Sequence, residues 1–358
     1  MKEDIVKNLI TLSNIDSTSG DEERVVDYLK KELDFKELEI QRDNLGSIAF
    51  IKRSKKKGPS ILIAAHMDSP GYLVSKIEKT GHLRINPVGG WWTHVMLAQR
   101  ITVHTSKGKF TGIIGSKPPH ILTPDIRNKV VDFKEIFIDI GAKDKDDAIK
   151  NFGVKIGDRA FPKSNAERLN NTDFIVGKGF DDRASVAAGI ALMKDLVKQD
   201  TYGDIYFVGT TQEEVGLRGA KTAGQKWHTD IAIGLDVTIS YDCPGLPNKD
   251  VKLNKGASLT VMDRGNIANK KLLEYIKNLA NKNNIPFEQD IFLIGGTDTA
   301  ELQRAHDGTI AMTISIPLRY MHSHNEVISV NDVISVKEIL LALVKKMNET
   351  EFKKLKFK

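Results

Sequence analysis

The chain has 358 residues, 40% hydrophobic and 28% charged, with 53 Lys and Arg against 47 Asp and Glu for a formal charge of +6. This is the balance of an ordinary globular chain, long enough at about 150 residues per domain for two domains, or for one large domain with an insertion. It excludes collagen, intrinsic disorder and a disulfide-stapled mini-protein, because the lone Cys243 has no partner in the chain, which fits a reducing, cytoplasmic setting.

The start, Met1-Lys2-Glu3-Asp4, is charged and soon amphipathic, unlike a secretory signal. No apolar run approaches the roughly 18 residues of a membrane span. Ile5, Val6, Leu9 and Ile10 share one face of a helix expected over 2–12. A second helix is expected from the capping box Ser19-Gly20-Asp21-Glu22, with Ser19 as N-cap and Glu22 reaching back. Val25, Val26, Leu29 and Leu33 form its apolar stripe. Strands follow at Ser47–Ile51 and Ser60–Ala65, the second nearly all apolar and so buried on both faces. The basic run Lys52-Arg53-Ser54-Lys55-Lys56-Lys57 between them ends at Gly58-Pro59 and reads as a solvated hairpin loop. It and the Phe352–Lys358 tail have no zinc-finger or RNA-recognition signature beside them, so nucleic acid is not an expected partner.

From about Gly71 to Pro162 the texture changes to short β-like runs separated by glycines. They are Tyr72–Ile77, His82–Asn86, Ile101–His104, Phe110–Ile114 and Ile136–Ile140. Residues 71–162 therefore read as a small β-rich domain inserted into a larger one made of 1–70 and 163–358. Trp91, Trp92, Val95, Met96 and Leu97 are more apolar surface than so small a unit buries alone, which points to self-association. Beyond the short run Phe174–Val176, helices are expected at Ser185–Val197, Ala268–Lys282 and Val330–Met347. They alternate with strands at Asp204–Gly209, Ile231–Leu235, Ile291–Ile294 and Thr309–Ile316. This alternation implies an α/β fold with a mixed, largely parallel sheet covered on both faces.

Acids and histidines fall where these strands end. Strand 60–65 runs into His66-Met67-Asp68, and strand 204–209 into Thr210-Thr211-Gln212-Glu213-Glu214. Strand 231–235 runs into Asp236, and strand 309–316 leads on to His322, while Asp181-Asp182 precedes a helix. Ligands of open α/β sheets bind outside the carboxyl ends of the strands. Two imidazoles with several carboxylates on that rim suit one or two divalent ions of the zinc, cobalt or manganese type. Asp68 shares a face with His66 and can hold its tautomer or act just behind it. Of Glu213 and Glu214, one can ligate metal while the other moves protons, and Asp181 is the natural bridge between two ions. Each feature has a plainer reading taken alone. Asp181-Asp182 can be an N-cap, Asp236 a turn residue, His322 a surface histidine and the glutamate pair a solvated one. One shared site explains all of them together.

Other chemistries lack their signatures. Gly177-Lys178-Gly179-Phe180-Asp181-Asp182 misses the third glycine of a dinucleotide fingerprint, and there is neither a Walker A pattern nor a Gly-x-Ser-x-Gly elbow. Cys243, before Pro244 in a Pro/Gly-rich stretch, is a poor nucleophile candidate. A glycosidase using Glu213 and Glu214 as acid and base leaves His66, Asp181, Asp236 and His322 unexplained. An amidohydrolase or deacylase on the same metal core is the nearer rival, and a scaffold with a degenerate site the most remote.

Several segments together resemble the glutamyl and tetrahedral (TET-type) aminopeptidases, co-catalytic dinuclear metallopeptidases of the cytosol that have also been called endoglucanase-like. The segments are Ala65-His66-Met67-Asp68, Gly177–Arg183, Thr211–Gly216, Gly234-Leu235-Asp236, Gly295-Gly296-Thr297-Asp298 and Arg319–Ser323. Within the insertion, Val88-Gly89-Gly90-Trp91, Gln99-Arg100 and Gly115–His120 match as well. The resemblance implies that His66 and Asp236 bind one metal, Glu214 and His322 the other, and that Asp181 bridges them. It also implies Glu213 as general base, Asp68 as the group orienting His66, and a cis peptide between Asp181 and Asp182. It further implies peptide substrates cut at the N-terminus, no membrane or nucleic-acid partner, and an insertion serving dimer contacts within a dodecamer. Two departures stand out: Ser69-Pro70 where the family commonly has Glu-Ile, and His324-Asn325 where it has Pro-Val. The second places another histidine two residues from His322. Asp298 reads as an N-cap and stays outside the expected ligand set.

Overall fold

Alternation along the strand Ile61–His66 sets the architecture of this computed structural model, which describes residues 1–357. Ile61, Ile63 and Ala65 join a core beneath the helices Lys2–Asn14, Phe180–Leu196, Lys270–Lys282 and Val330–Lys346. Leu62 and Ala64 face the opposite way, into a smaller core under Arg218–Lys226 and Thr299–Gln303. A strand with apolar residues on both faces thus lies at the middle of a helix–sheet–helix sandwich.

The sheet has eleven strands. Ile205–Thr210, Ile61–His66, Ile231–Ile239 and Ile310–Arg319 are neighbours in that order and all parallel. Antiparallel strands extend it on both sides, Ile48–Lys52 and Leu38–Arg42 on one, Glu326–Ser329, Phe174–Gly177 and Glu167–Arg168 on the other. Ala257–Asp263 and Phe287–Phe292 branch from Ile310–Arg319. Register pairs Thr210 with His66 and Gly234 with Ala64, so Asp236 lies two residues beyond that pair, inside a strand that runs on to Ile239. His66 at the end of its strand, Asp236 within its own, and the segments that follow Thr210 and Arg319 therefore meet on one side of the sheet. Helix Phe180–Leu196 crosses beneath them closely: a Cβ at Gly189 would come within 2.0 Å of the Phe207 ring.

The second unit is a closed antiparallel barrel of Gly71–Ile77, Leu83–Val88, Phe137–Asp139, Gly108–Gly115, Arg100–Thr105 and Arg159–Pro162, paired in that order. Inward residues such as Tyr72, Val74, Ile85, Ile101, Val103 and Ile138 fill it. The barrel is strung between the carboxyl end of Ile61–His66 and the short strand Glu167–Arg168. Closure buries more than the sequence indicated. Met96 is buried, Trp91 stacks on Tyr72, Val95 and Leu97 are half-buried, and only Trp92 of the five, 60% accessible, stays exposed.

Three expectations are corrected. Ile48–Lys52 and Ile61–His66 do not form a hairpin, because Ile205–Thr210 lies between them and the basic run is a crossing loop. No capping box forms: the helix starts at Glu23, the Ser19 hydroxyl donates to Asp68, and Glu22 accepts from the Gly20 and Gln212 backbones. The strand expected at Ile291–Ile294 is Phe287–Phe292, which leaves Leu293 and Ile294 on an exposed loop before Gly295-Gly296. The structure adds Leu38–Arg42, Ala257–Asp263 and Arg218–Lys226 to the expected elements. Lys358, the last of the basic tail, lies outside the described residues.

Candidate metal centre

His66 is the last residue of its strand and 1% exposed. Its Nε2 lies 3.1 Å from Asp181 Oδ1 and 3.8 Å from Glu213 Oε2. The other oxygen of Asp181 lies 3.2 Å from His322 Nε2, which is also 3.6 Å from Glu214 Oε1. One carboxylate thus straddles two imidazoles from segments over 250 residues apart in the chain. Ligand atoms of His66, Asp181 and Glu214 all fall within 4.8 Å of one another. Asp236 lines the same cleft as Asp181, Glu213, Glu214 and His322, with one oxygen accepting from the Val237 N–H at 2.7 Å. The site residues expected from sequence are therefore all brought to one place.

The backbone delivers these groups by unusual conformations. The Asp181–Asp182 peptide is cis, and Gln212 and His322 both have left-handed φ, 55° and 56°. Left-handed φ in a non-glycine residue persists only where its surroundings impose it. Two buried carboxylates do the imposing. Asp68 accepts from the backbone N–H groups of Glu213 (3.0 Å) and Glu214 (3.2 Å) and from the Ser19 hydroxyl (2.6 Å). Its Oδ1 is 3.6 Å from His66 Nδ1, whereas its backbone carbonyl is nearer that nitrogen, at 3.1 Å. Glu326 accepts from the backbones of Phe180 (2.7 Å), Asp181 (3.3 Å) and His322 (3.0 Å). The barrel contributes too: His322 Nδ1 donates to the Gly90 carbonyl at 2.8 Å, which leaves Nε2 facing the carboxylates. A Cβ on Gly89 would meet Glu214 Oε2 at 2.9 Å, so only glycine lets this loop pass so close.

Sequence reasoning missed Glu326, which follows no strand and has no periodic mark. It quoted Arg183 without a role. The Arg183 guanidinium is buried and donates to the carbonyls of Leu12, Ile15 and Ser17 and to Ser69 Oγ. The Ser69 departure thus belongs to the scaffold that holds the first helix against the site. His324 does not compete with His322. It turns toward the barrel, 3.3 Å from the Tyr72 hydroxyl and edge-on to Trp91, and burial lowers its pKa to about 4. Asp298 makes no capping bond to the helix Thr299–Gln303; it accepts from the Thr210 hydroxyl instead.

The charge balance is lopsided. Burial would lower the His66 pKa, yet Glu213, Asp181 and Asp68 raise it well above its ordinary value. His322, likewise opposed by burial, is raised to about 10 by Glu214 and Asp181. Burial pushes the carboxyls of Glu213, Asp236 and Asp182 well up, and that of Glu214 to about 8. Burial acts on Asp181 in the same direction, but its two imidazoles outweigh it and hold that carboxyl low. A site that draws protons so strongly is short of positive charge.

The M42 glutamyl aminopeptidase family matches residues 46–339. The chain belongs to that family. It is a metal-dependent peptidase of the aminopeptidase type. It is 34% identical over 337 residues to the lysyl aminopeptidase of Pyrococcus furiosus, covering 93% of each chain. Its fold matches the TET aminopeptidase of the Thaumarchaeota archaeon SCGC AB-539-E09 with a TM-score of 0.95 at 36% identity, over 99% of this chain and 100% of that one. It also matches the TET1 peptidase of Pyrococcus horikoshii, reported to assemble into a tetrahedron or a large octahedral shell, with a TM-score of 0.86 at 30% identity, over 96% and 99% of the two chains.

The family's metal requirement fits the residues present on structural grounds alone. The donors are imidazole and carboxylate, the set that suits zinc and its neighbours. Glu214 Oε1, Asp182 Oδ1 and Asp298 Oδ1 are buried without a hydrogen-bond partner, a costly state that a cation nearby relieves. Among the described residues, no helix is long and apolar enough to cross a membrane.

Proposed function

We propose that the chain is a cytoplasmic aminopeptidase whose rim holds two divalent ions, zinc by preference with cobalt or manganese as substitutes. His66 and Asp236 would hold one ion, Glu214 and His322 the other, and Asp181 would bridge them. The single observation that carries this reading is the Asp181 carboxylate, whose two oxygens face His66 and His322 at 3.1 and 3.2 Å. When bound, divalent ions polarise the scissile carbonyl and make water a nucleophile near neutral pH.

The chain's own residues supply the rest. Glu213 reaches the edge of the cluster with its backbone N–H held by Asp68, so its carboxylate is free to take a proton from water. It returns that proton to the leaving amine. Asp68 keeps Glu213 and Glu214 aimed in different directions, and Gly90 fixes the tautomer of His322. The substrate's free α-amine would sit among the acids of the cleft.

In this reading residues 1–70 and 163–358 form the catalytic unit. The barrel of 71–162 would make dimer contacts within a dodecamer; self-association itself is supported by the tetrahedral or octahedral assembly reported for the Pyrococcus horikoshii relative. The test is hydrolysis of aminoacyl p-nitroanilides after chelation and after return of zinc, cobalt or manganese. Activity should vanish and return, and N-acetylated substrates should stay intact. Preferential cleavage of the acylated substrates would assign a deacylase instead. Hydrolysis that survives verified metal removal would refute the mechanism.

A further inference from the structure

Beside the cluster lies an open cleft of about 500 Å³, within the range of about 300–1,000 Å³ usual for small-molecule sites. Its walls are Leu217, Val237, Phe292, Ile294 and Met321. Its floor is the carboxylate and imidazole cluster already described. Among the described residues no lysine or arginine lines it, and the only acids in it belong to that cluster.

We infer that this cleft receives the side chain of the substrate's first residue and selects a large, uncharged, apolar one such as leucine, methionine or phenylalanine. The inference rests on the aminopeptidase reading, since it assumes that the adjoining cluster cuts next to that residue. A glutamate side chain would find no cation here. A lysine ammonium would lie against aliphatic and aromatic walls, with the nearby acids already committed to the site. Either charge would lose water without gaining a partner. An apolar side chain meets matched walls throughout, and one extra methylene in such a pocket changes kcat/KM by about 10–200-fold.

The loop after Phe287–Phe292 strengthens the case. Leu293 and Ile294 are 59% and 82% exposed, and Ile291 is 52% exposed. Three aliphatic residues left open within four positions of one another make an exposed apolar patch, the kind of surface that marks binding. Ile294 is the one that also lines the cleft, so an entering apolar side chain covers it.

The experiment is a kcat/KM panel on the metal-loaded enzyme with leucyl, methionyl, phenylalanyl, alanyl, glutamyl and lysyl p-nitroanilides, repeated with Ile294→Lys. The exposed position of Ile294 makes that variant safe for folding. The parent should prefer leucyl to alanyl substrate by about 10–200-fold, and prefer leucyl to glutamyl or lysyl substrate by more. In Ile294→Lys the glutamyl-to-leucyl ratio should rise, mainly through KM. A parent that prefers glutamyl or lysyl substrate overturns the assignment of the cleft while leaving the aminopeptidase reading intact. An unchanged ratio in the variant also overturns it. Failure on every free-amine substrate with metal restored overturns the aminopeptidase reading itself, and this inference with it.

Discussion

Asp68→Asn is the substitution whose consequences the structure defines most sharply. Asp68 is fully buried and accepts three hydrogen bonds, from Glu213 N on Oδ1 and from Ser19 Oγ and Glu214 N on Oδ2. An amide has one acceptor oxygen, so whichever way the substituted side chain turns, one of the two backbone N–H groups faces an NH2 group. An unpaired buried donor costs about 1–3 kcal/mol. The bonds that remain change from charged acceptors, worth about 1.5–3 kcal/mol, to neutral ones, worth about 0.5–1.5 kcal/mol. A partial offset comes from Glu22, whose carboxyl burial and the neighbouring Asp68 charge push up to about 7. The sum is a loss of about 2–4 kcal/mol. It is read as the urea midpoint of the chelated protein, which keeps metal binding out of the comparison. Reloaded with metal, the variant should retain its ions, because Asp68 is not in the proposed ligand set. Its kcat should fall at least tenfold, because Glu213 is no longer aimed. Stability within about 0.5 kcal/mol of the parent, the usual scatter of neutral changes, would refute this account of Asp68. So would a variant that loses metal.

The adjacent glutamates should fail differently. Glu213→Gln should lower kcat about 10²–10⁴-fold with metal content unchanged, whereas Glu214→Gln should lose metal and recover partly in excess metal. Metal stoichiometry beside kcat decides, and loss of metal from the Glu213 variant would show the roles reversed. Gly189→Ala gains about 1 kcal/mol of helix propensity but drives a methyl into Phe207, an overpacking cost of about 1–3 kcal/mol. Its Tm should drop, and a Tm at or above the parent's would contradict the close crossing of that helix. Burial pushes the Asp332 carboxyl up to about 7, against the pull of the N–H groups of Asn254 and Gly256. Since its unfolded value is near 3.8, the folded chain holds a proton the unfolded one has lost. Its stabilising share is therefore complete below about pH 4 and lost as pH rises toward 7. Unfolding midpoints from pH 4 to 8 should fall more steeply for the parent than for Asp332→Asn, and equal slopes would count against a raised carboxyl.

How much of this was legible in the sequence depends on the range of the forces involved. The runs Ile61–Ala65, Ile205–Gly209 and Ile231–Leu235 announce buried strands because apolar side chains on both faces are a local property of the chain. Polar residues follow each run, so His66, Glu213, Glu214 and Asp236 could be placed on one rim without coordinates, although the strand carrying Asp236 runs on to Ile239 and stays buried through Thr238. Which of these groups face each other was not a local matter. Asp181 meets His322 across 141 positions, and the Gly90 carbonyl that sets the His322 tautomer comes from the barrel. Ser19 looked like a helix cap because its neighbours in sequence fit one, but the helix starts only at Glu23 and the Ser19 hydroxyl donates to the buried Asp68 carboxylate. His324 and His322 look alike in the chain. Packing sends one toward Tyr72 and Trp91 and the other to the carboxylates. Apolar strand cores and faces are written in short-range pattern, and the sequence determined them alone. The pairing of charges in a low-dielectric cleft depends on distances that only the folded chain sets.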